Sequence, residues 1–325
     1  VRPEEFYFSL HSTFSLHPFC TAATFRWKPA QWLLCFALLA LFGCKTNSEL
    51  FRPDAPRPRI VSFAPSITET IFAIGGEQHL VGVTDFCLWP PRTKDYPKVG
   101  GYINPNYEKV LSLKPDCVIM ITENSEMGSF LRSHSIRTLS IYNEDIAGII
   151  RSFSQIGAVC NRQQAGDSLA NVVSIALQRA RSGSAGHCLR PSILLCAGRD
   201  KPGSGTIGKV FAAGPKTFYS ELLLAAGGVN AITDSTFGYP SLSAEGIVHL
   251  APDIIIDLMS STSHVDSQLV VADWNSLTML NAVKSRSVYA LTGDYLSIPG
   301  PRIVDIYNAI YSCLDDWKSH CRKGE

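Results

Sequence analysis

Apolar residues in this chain gather in short runs instead of alternating with polar ones. Cys117-Val-Ile-Met-Ile121, Ile193-Leu-Leu-Cys196, Ile254-Ile-Ile-Asp-Leu258 and Val288-Tyr-Ala-Leu291 are the clearest, and a shorter run opens at Ile60-Val61. Runs of this length, bounded by Gly, Pro and Asp, read as parallel strands covered on both faces. A different spacing holds Leu169, Val172, Val173, Ala176, Leu177 and Ala180, which repeat as one face of a helix. That pattern predicts a long helix over about 162–181, and a second helix over about 303–318 closes the chain, leaving 319–325 as a frayed tail. The implied fold class is α/β: two lobes with mainly parallel sheets, joined by a single long helix.

The two lobes share one order of elements. Tyr102-Ile-Asn-Pro-Asn-Tyr-Glu108 leads through Leu113-Lys-Pro115-Asp116 into a strand, and Tyr239-Pro-Ser-Leu-Ser-Ala-Glu245 leads through Ala251-Pro252-Asp253 into another. In both copies an aromatic precedes a glutamate by six residues and Pro-Asp follows it by seven. Repeats of this kind take precedence over local readings. Asn106 and Ser243 suit the N-cap, which places Glu108 and Glu245 in the first helical turn, where the helix dipole favours an exposed carboxylate. The residue before each proline is barred from helix, so the helix ends there. A second repeat pairs Glu69 with Gly75-Gly76 and Glu221 with Gly227-Gly228. The glycines suit left-handed C-caps. Glu69 and Glu221 read as helix-start or buried hydrogen-bonding residues and not as catalytic acids.

The start of the chain follows another logic. Arg26 and Lys28 precede the apolar run from Trp32 to Phe42, which is too short to span a bilayer comfortably. It ends in Leu41-Phe42-Gly43-Cys44, similar to a bacterial lipobox. Residues 1–43 are therefore expected to be a signal peptide, Cys44 to carry lipid, and 44–58 to form a tether. The lobes are expected over 59–160 and 186–320, with the joining helix within 161–185. After cleavage and acylation seven cysteines remain, an odd number that leaves at least one thiol unpaired. Cys117 and Cys196 fall in core strands, where free Cys packs as a small hydrophobe.

Charge adds little. The formal net charge is +1, so no basic excess points to nucleic acid. No G-x-S-x-G, G-x-x-x-x-G-K-[ST] or H-E-x-x-H occurs, Gly-Gly follows helices and not strands, and no C-x-x-C or close His pairing marks a metal site. The expectation is a protein with no catalytic residues, metal or cofactor.

The aromatics are more informative. Phe86 and Trp89 follow the second strand, Tyr102 and Tyr239 lead the repeated helices, Phe211 lies in an inserted loop of lobe two, and Tyr295 is in the last loop. Open α/β sheets hold their ligands beyond strand ends, and facing aromatics grip a large flat or apolar ligand. At these residues the chain resembles the cobalamin- and iron-chelate-binding solute receptors of ABC importers, of the periplasmic-binding-protein-like, helical-backbone type. The resemblance runs from Arg59 to about Leu314. It rests on Ser66-Ile-Thr-Glu69, Val99-Gly-Gly-Tyr102, Asn104-Pro-Asn-Tyr-Glu108, Leu113-Lys-Pro-Asp116, Gly227-Gly-Val-Asn230, Ser243-Ala-Glu245 and Gly300-Pro-Arg302. It implies cleft aromatics at Phe86, Trp89, Tyr102 and Tyr239, and docking glutamates at Glu108 and Glu245. The cobalamin receptors would carry tryptophan where this chain has Tyr102 and Tyr239.

The expected ligand set is Phe86, Trp89, Tyr102, Phe211, Tyr239, Asp294, Tyr295 and Arg302. The expected partners are a small-molecule ligand, an importer permease with its ATPase, and a membrane reached through the lipid anchor, for a monomer on the periplasmic side of the cell envelope. Three readings stay open: a corrinoid receptor, the same receptor for a ferric siderophore or haem, and a lyase or chelatase-like enzyme. A siderophore rich in carboxylates would want clustered Arg or Lys in the cleft, and Arg302 is the obvious one. The enzyme would need a titratable pair, for which Asp294 and Asp85 are the candidates.

Overall fold

Why the repeated motifs recur is visible in how each lobe begins. In lobe one the strands are β1 (Ile60–Ser62), β2 (Leu80–Val83), β3 (Cys117–Met120) and β4 (Arg137–Ser140), all parallel in the order β2-β1-β3-β4. The Asp116 carboxylate accepts from the Arg59 backbone N–H at 2.8 Å, and the Asp116 N–H donates back to the Arg59 carbonyl at 2.8 Å. In lobe two Asp253 makes the same pair of bonds with Ser192, at 2.8 and 2.9 Å. Each Pro-Asp thus staples the entry of the strand that follows it to the entry of its lobe's first strand, which satisfies backbone groups that the ladder leaves open at a sheet end. Lys114 and Ala251, before the two prolines, both take φ of 45°. Barred from right-handed helix by the following ring, they turn left-handed and end their helices.

This computed structural model describes residues 57–121, 125–184, 190–234, 236–260, 262, 263 and 265–323. The expected signal peptide, Cys44 and most of the tether lie outside them. From Arg57 onward the chain is one compact unit. Among the described residues no helix is long and apolar enough to cross a membrane.

In lobe one, α1 (Pro65–Ala73) starts with proline in its first turn and ends at Gly75, φ 66°, where Gly76 N–H reaches back to the Ile71 carbonyl. α2 (Tyr107–Ser112) is capped by the Asn106 side chain, and α3 (Ser125–Ser133) precedes β4. β3 is buried at every position, as an unbroken apolar run requires.

The connection holds more helix than its sequence pattern announces. α4 (Ile146–Val159) runs alongside α5 (Gln163–Ser184), the long helix anticipated from its apolar face. Gly157 and Gly166 meet where the two cross; a Cβ on Gly166 would fall on the Phe153 carbonyl at 2.5 Å. Ile149 and Phe153 of α4, with Val173 and Leu177 of α5, join the core of lobe two, while Ile156 and Leu169 pack with lobe one. Both helices therefore tie the lobes together.

Lobe two contains β5 (Ser192–Arg199), β6 (Val210–Ala212), β7 (Val229–Asn230), β8 (Ser241–Leu242), β9 (Ile254–Met259) and β10 (Val288–Thr292). The sheet order is β10-β9-β5-β6-β8 with β7 beside β5; β6 runs antiparallel to both neighbours and the other pairings are parallel. The region expected as an inserted loop at Phe211 is thus a strand. α6 (Phe218–Ala225) holds Glu221 in its first turn, the helix-start position expected. The carboxylate of Glu221 also accepts from the Ile146 N–H at 3.0 Å, capping α4. α7 (Ala244–Leu250) is capped by Ser243, and α8 (Ser267–Asp273) and α9 (Asn281–Lys284) lead to β10. α10 (Ile303–Lys323) is longer than expected: residues 319–323 continue the helix instead of fraying.

A buried ion network pins the segment between β5 and β6. Arg199 Nε donates to Asp257 at 2.7 Å and its Nη2 to Asp273 at 2.6 Å, and all three side chains are almost wholly buried. Asp273 also accepts from the Gly203 and Gly205 N–H groups, and Trp274 Nε1 donates to Asp257. Charge pairing and backbone donors together offset the cost of burying these groups. Cys87, Cys117, Cys160, Cys196 and Cys313 are buried free thiols, and burial pushes the Cys160 thiol up to about 12.

Candidate functional site

The loops beyond the strand ends, and strand β6, carry large apolar side chains that the core does not take. Phe86 is 68% exposed and Trp89, Tyr102, Phe211 and Tyr239 are each near 45%. Such rings are candidates for contact with a ligand.

The expected residues fall into groups. In lobe one the Phe86 ring lies over Gly101, beside Tyr102; a Cβ at position 101 would come within 2.8 Å of it. That glycine lets the aromatic loop after β2 and the loop before α2 close on each other. In lobe two, Phe211 pairs with Ser241 across the β6–β8 ladder, and hydrogen bonds from Ala212 to Pro240 and Gly214 to Gly238 extend the register. Ala213 therefore stands opposite Tyr239, and Phe211 and Tyr239 share one face of the sheet as diagonal neighbours. Burial, then the negative charge of Glu144, pushes the Tyr239 phenol up to about 12. Glu144 sits between β4 and α4, so Tyr239 is the lobe-two aromatic that stands near the first lobe's exit.

The third group crosses the lobes. Arg302, just before α10, places its Cζ 5.3 Å from the Trp89 ring centroid and 5.6 Å from that of Tyr295. It donates to both oxygens of Asp294, at 3.0 and 3.1 Å, and to both oxygens of Glu69, at 2.6 and 2.9 Å. Hydrogen bonds from Arg302 hold the Asp294 carboxyl below its ordinary range. Burial lifts Glu69 above the ordinary carboxylate value even against the pull of the guanidinium. Burial also works against the Arg302 charge, but its bonds to Glu69 and Asp294 more than offset it and raise its pKa.

Glu108 and Glu245 lie apart from these groups. Each is exposed and is the second residue of its helix, behind caps from Asn106 to Lys109 N–H and from Ser243 to Gly246 N–H. The placement read from the repeat is the one the structure has. Among the described residues no cluster of three or more His, Cys, Asp or Glu could hold a metal ion.

Sequence reasoning passed over Tyr142 and the role of Glu69. Tyr142 is 51% exposed and follows β4 as Phe86 and Trp89 follow β2. The same rule would have found it had β4 been recognised, but Arg137-Thr-Leu-Ser140 has no apolar run. Glu69 read correctly as a buried hydrogen-bonding residue, yet nothing in the chain pairs it with a partner 233 residues away.

The chain is similar to vitamin B12-binding and heme uptake proteins. It is 27% identical over 291 residues to a vitamin B12-binding protein of Vibrio cholerae, covering 87% of this chain and 98% of that one. It is 26% identical over 264 residues to a high-affinity heme uptake system protein of Staphylococcus aureus, covering 80% and 87%. Its fold superposes on the crystal structure of the periplasmic vitamin B12-binding protein of Vibrio cholerae with a TM-score of 0.68 at 25% identity, over 81% of this chain and 98% of that one. These relatives are binding proteins and not enzymes, and the periplasmic binding protein family model matches residues 60–295. With well over half of its length so matched, the chain belongs to the periplasmic binding protein family.

Proposed function

We propose that this chain is the extracytoplasmic substrate-binding protein of an ABC importer, held to the membrane by lipid on Cys44, and that it captures a corrinoid between its two lobes. The observation that carries the ligand class is the pairing of exposed aromatics with a neutralised arginine. Phe86, Trp89, Tyr102, Phe211 and Tyr239, with the half-buried Tyr295, offer dispersion and stacking to a large flat ligand. Arg302, the cation that an anionic chelate would seek, is already bound by Glu69 and Asp294. A ligand edged by amides and not carboxylates suits that floor. The likeness to a vitamin B12-binding protein supports the same reading.

Haem is the second reading, favoured by the heme uptake relative and by tyrosine at 102 and 239, since a phenolate is a haem ligand. Glu108 and Glu245, one exposed carboxylate per lobe, are the groups that dock on the permease; fixed charge pairs of this kind set orientation and encounter rate more than raw affinity.

The test is a titration of the purified full chain with cyanocobalamin, dicyanocobinamide, haemin and a ferric siderophore, read by absorbance and calorimetry. Tightest binding of a corrinoid is expected. Haemin binding with a shifted Soret band, and no corrinoid binding, would replace the first reading by the second.

A further inference from the structure

The carboxylates on Arg302 come from different places. Asp294 lies eight residues earlier in the same segment; Glu69 is on α1 of the other lobe and has a side chain only 3% exposed. Between them they take Nε–H, both Nη2 hydrogens and one Nη1 hydrogen, four of the five N–H donors. A second contact lies beside this one. Gly300, two residues before Arg302, packs on Ser66, three residues before Glu69; a Cβ at 300 would stand 3.3 Å from the Ser66 Cα. The guanidinium also faces one ring from each lobe, Trp89 and Tyr295.

We propose that Glu69 is the positioning residue of the cleft: through Arg302 it latches the two lobes, fixes the spacing of Trp89 and Tyr295, and keeps the guanidinium from ligand carboxylates. Arg302 by itself is a long, mobile cation that would turn toward any carboxylate entering the cleft. A bidentate fork held by a buried carboxylate has one geometry, because leaving it would expose Arg302 to water and strand Glu69 in a dry site. The two carboxylates and one guanidinium leave a single negative charge at the floor. That charge selects against anionic chelates and accepts N–H donors from amide side chains. The selectivity rests on the cleft being the ligand site, as proposed above; the latch itself does not.

The test has two arms on the purified full chain. In the first, Glu69→Gln, Arg302→Met and the double variant are unfolded in urea. Midpoint losses that fail to add, with the double close to the worse single, are expected; additive losses would overturn the latch. In the second, wild type and Glu69→Gln are titrated with haemin, which has two propionates, and with dicyanocobinamide, whose side chains end in amides. The ratio of affinities should move toward haemin by roughly tenfold, the worth of one charge-assisted bond to the released arginine. A structural weakening alone would lower both affinities and leave the ratio where it was, and that outcome overturns the positioning role. Should Glu69→Gln not fold, Glu69→Asp keeps the charge but shortens its reach, and the same ratio decides. If wild type binds neither compound the ligand reading fails, and the urea cycle still rules on the latch.

Discussion

Truncating the cleft aromatics one at a time gives a graded expectation. Tyr239 is 47% exposed and Phe86 68%. Taking ~200 Å² as the area of such a side chain, about 95 Å² of Tyr239 stays open to be covered by ligand. At ~25 cal/mol per Å², full coverage contributes about 2.4 kcal/mol, and coverage of one ring face about half of that. Tyr239→Ala should therefore raise Kd between roughly eightfold and sixtyfold. Phe86→Ala, with about 135 Å² open, should cost the same or up to half as much again. Neither residue belongs to the buried core, so the unfolding midpoint should hardly move, and the affinity loss cannot be blamed on misfolding. The assay is calorimetric titration of each full-length variant with the tightest ligand found for wild type, with circular dichroism on the same samples. If both folded variants bind within twofold of wild type, the rings are surface aromatics and the ligand lies elsewhere.

Three further expectations follow from other parts of the molecule. The Glu108→Ala, Glu245→Ala double variant should keep ligand affinity and lose uptake in vesicles carrying the permease and its ATPase, each single losing less; equal uptake by the double and wild type would end the docking role. Asp273→Ala leaves Arg199 with Asp257 as its one carboxylate and takes the acceptor from the buried Gly203 and Gly205 N–H groups, and should cost about 3–5 kcal/mol by urea unfolding, and a cost below about 1 kcal/mol would show the network to be dispensable. Burial alone would raise the Asp273 carboxyl, but bonds from Arg199, Gly203 and Gly205 more than offset it and hold it below the ordinary value; its stabilisation is thus complete above the unfolded pKa of about 3.9 and is lost as pH falls through the lower folded value, so the gap between wild type and Asp273→Ala should narrow in acid. Mass spectrometry of membrane-extracted protein should find Cys44 as an acylated first residue, and a Cys44→Ser chain that stays fully membrane-bound would disprove the anchor.

The sequence by itself determined what depends on neighbours along the chain. Apolar runs set β3 and β9, because a strand buried on both faces spares no polar position without a buried partner, and the one such position, Asp257 of β9, is taken by Arg199 and Trp274. Asn106 and Ser243 capped their helices, and Lys114 and Ala251 ended them, because a cap and a residue before proline act within a turn. The repeat carried Glu108 and Glu245 to matched exposed positions for the same reason. What failed was read at places where a distant part of the chain decides. α4 offers helical spacing that a loop could also hold, and only packing on α5 and both cores makes it a helix. β6 is a strand at Phe211 because β5 and β8 lie on either side to take its hydrogen bonds. Glu221 caps a helix in the connection, and Glu69 grips Arg302 across the lobes. No local rule pairs a carboxylate with a guanidinium 233 residues away; burial of both ends, which only the closed tertiary structure supplies, makes that one partner compulsory.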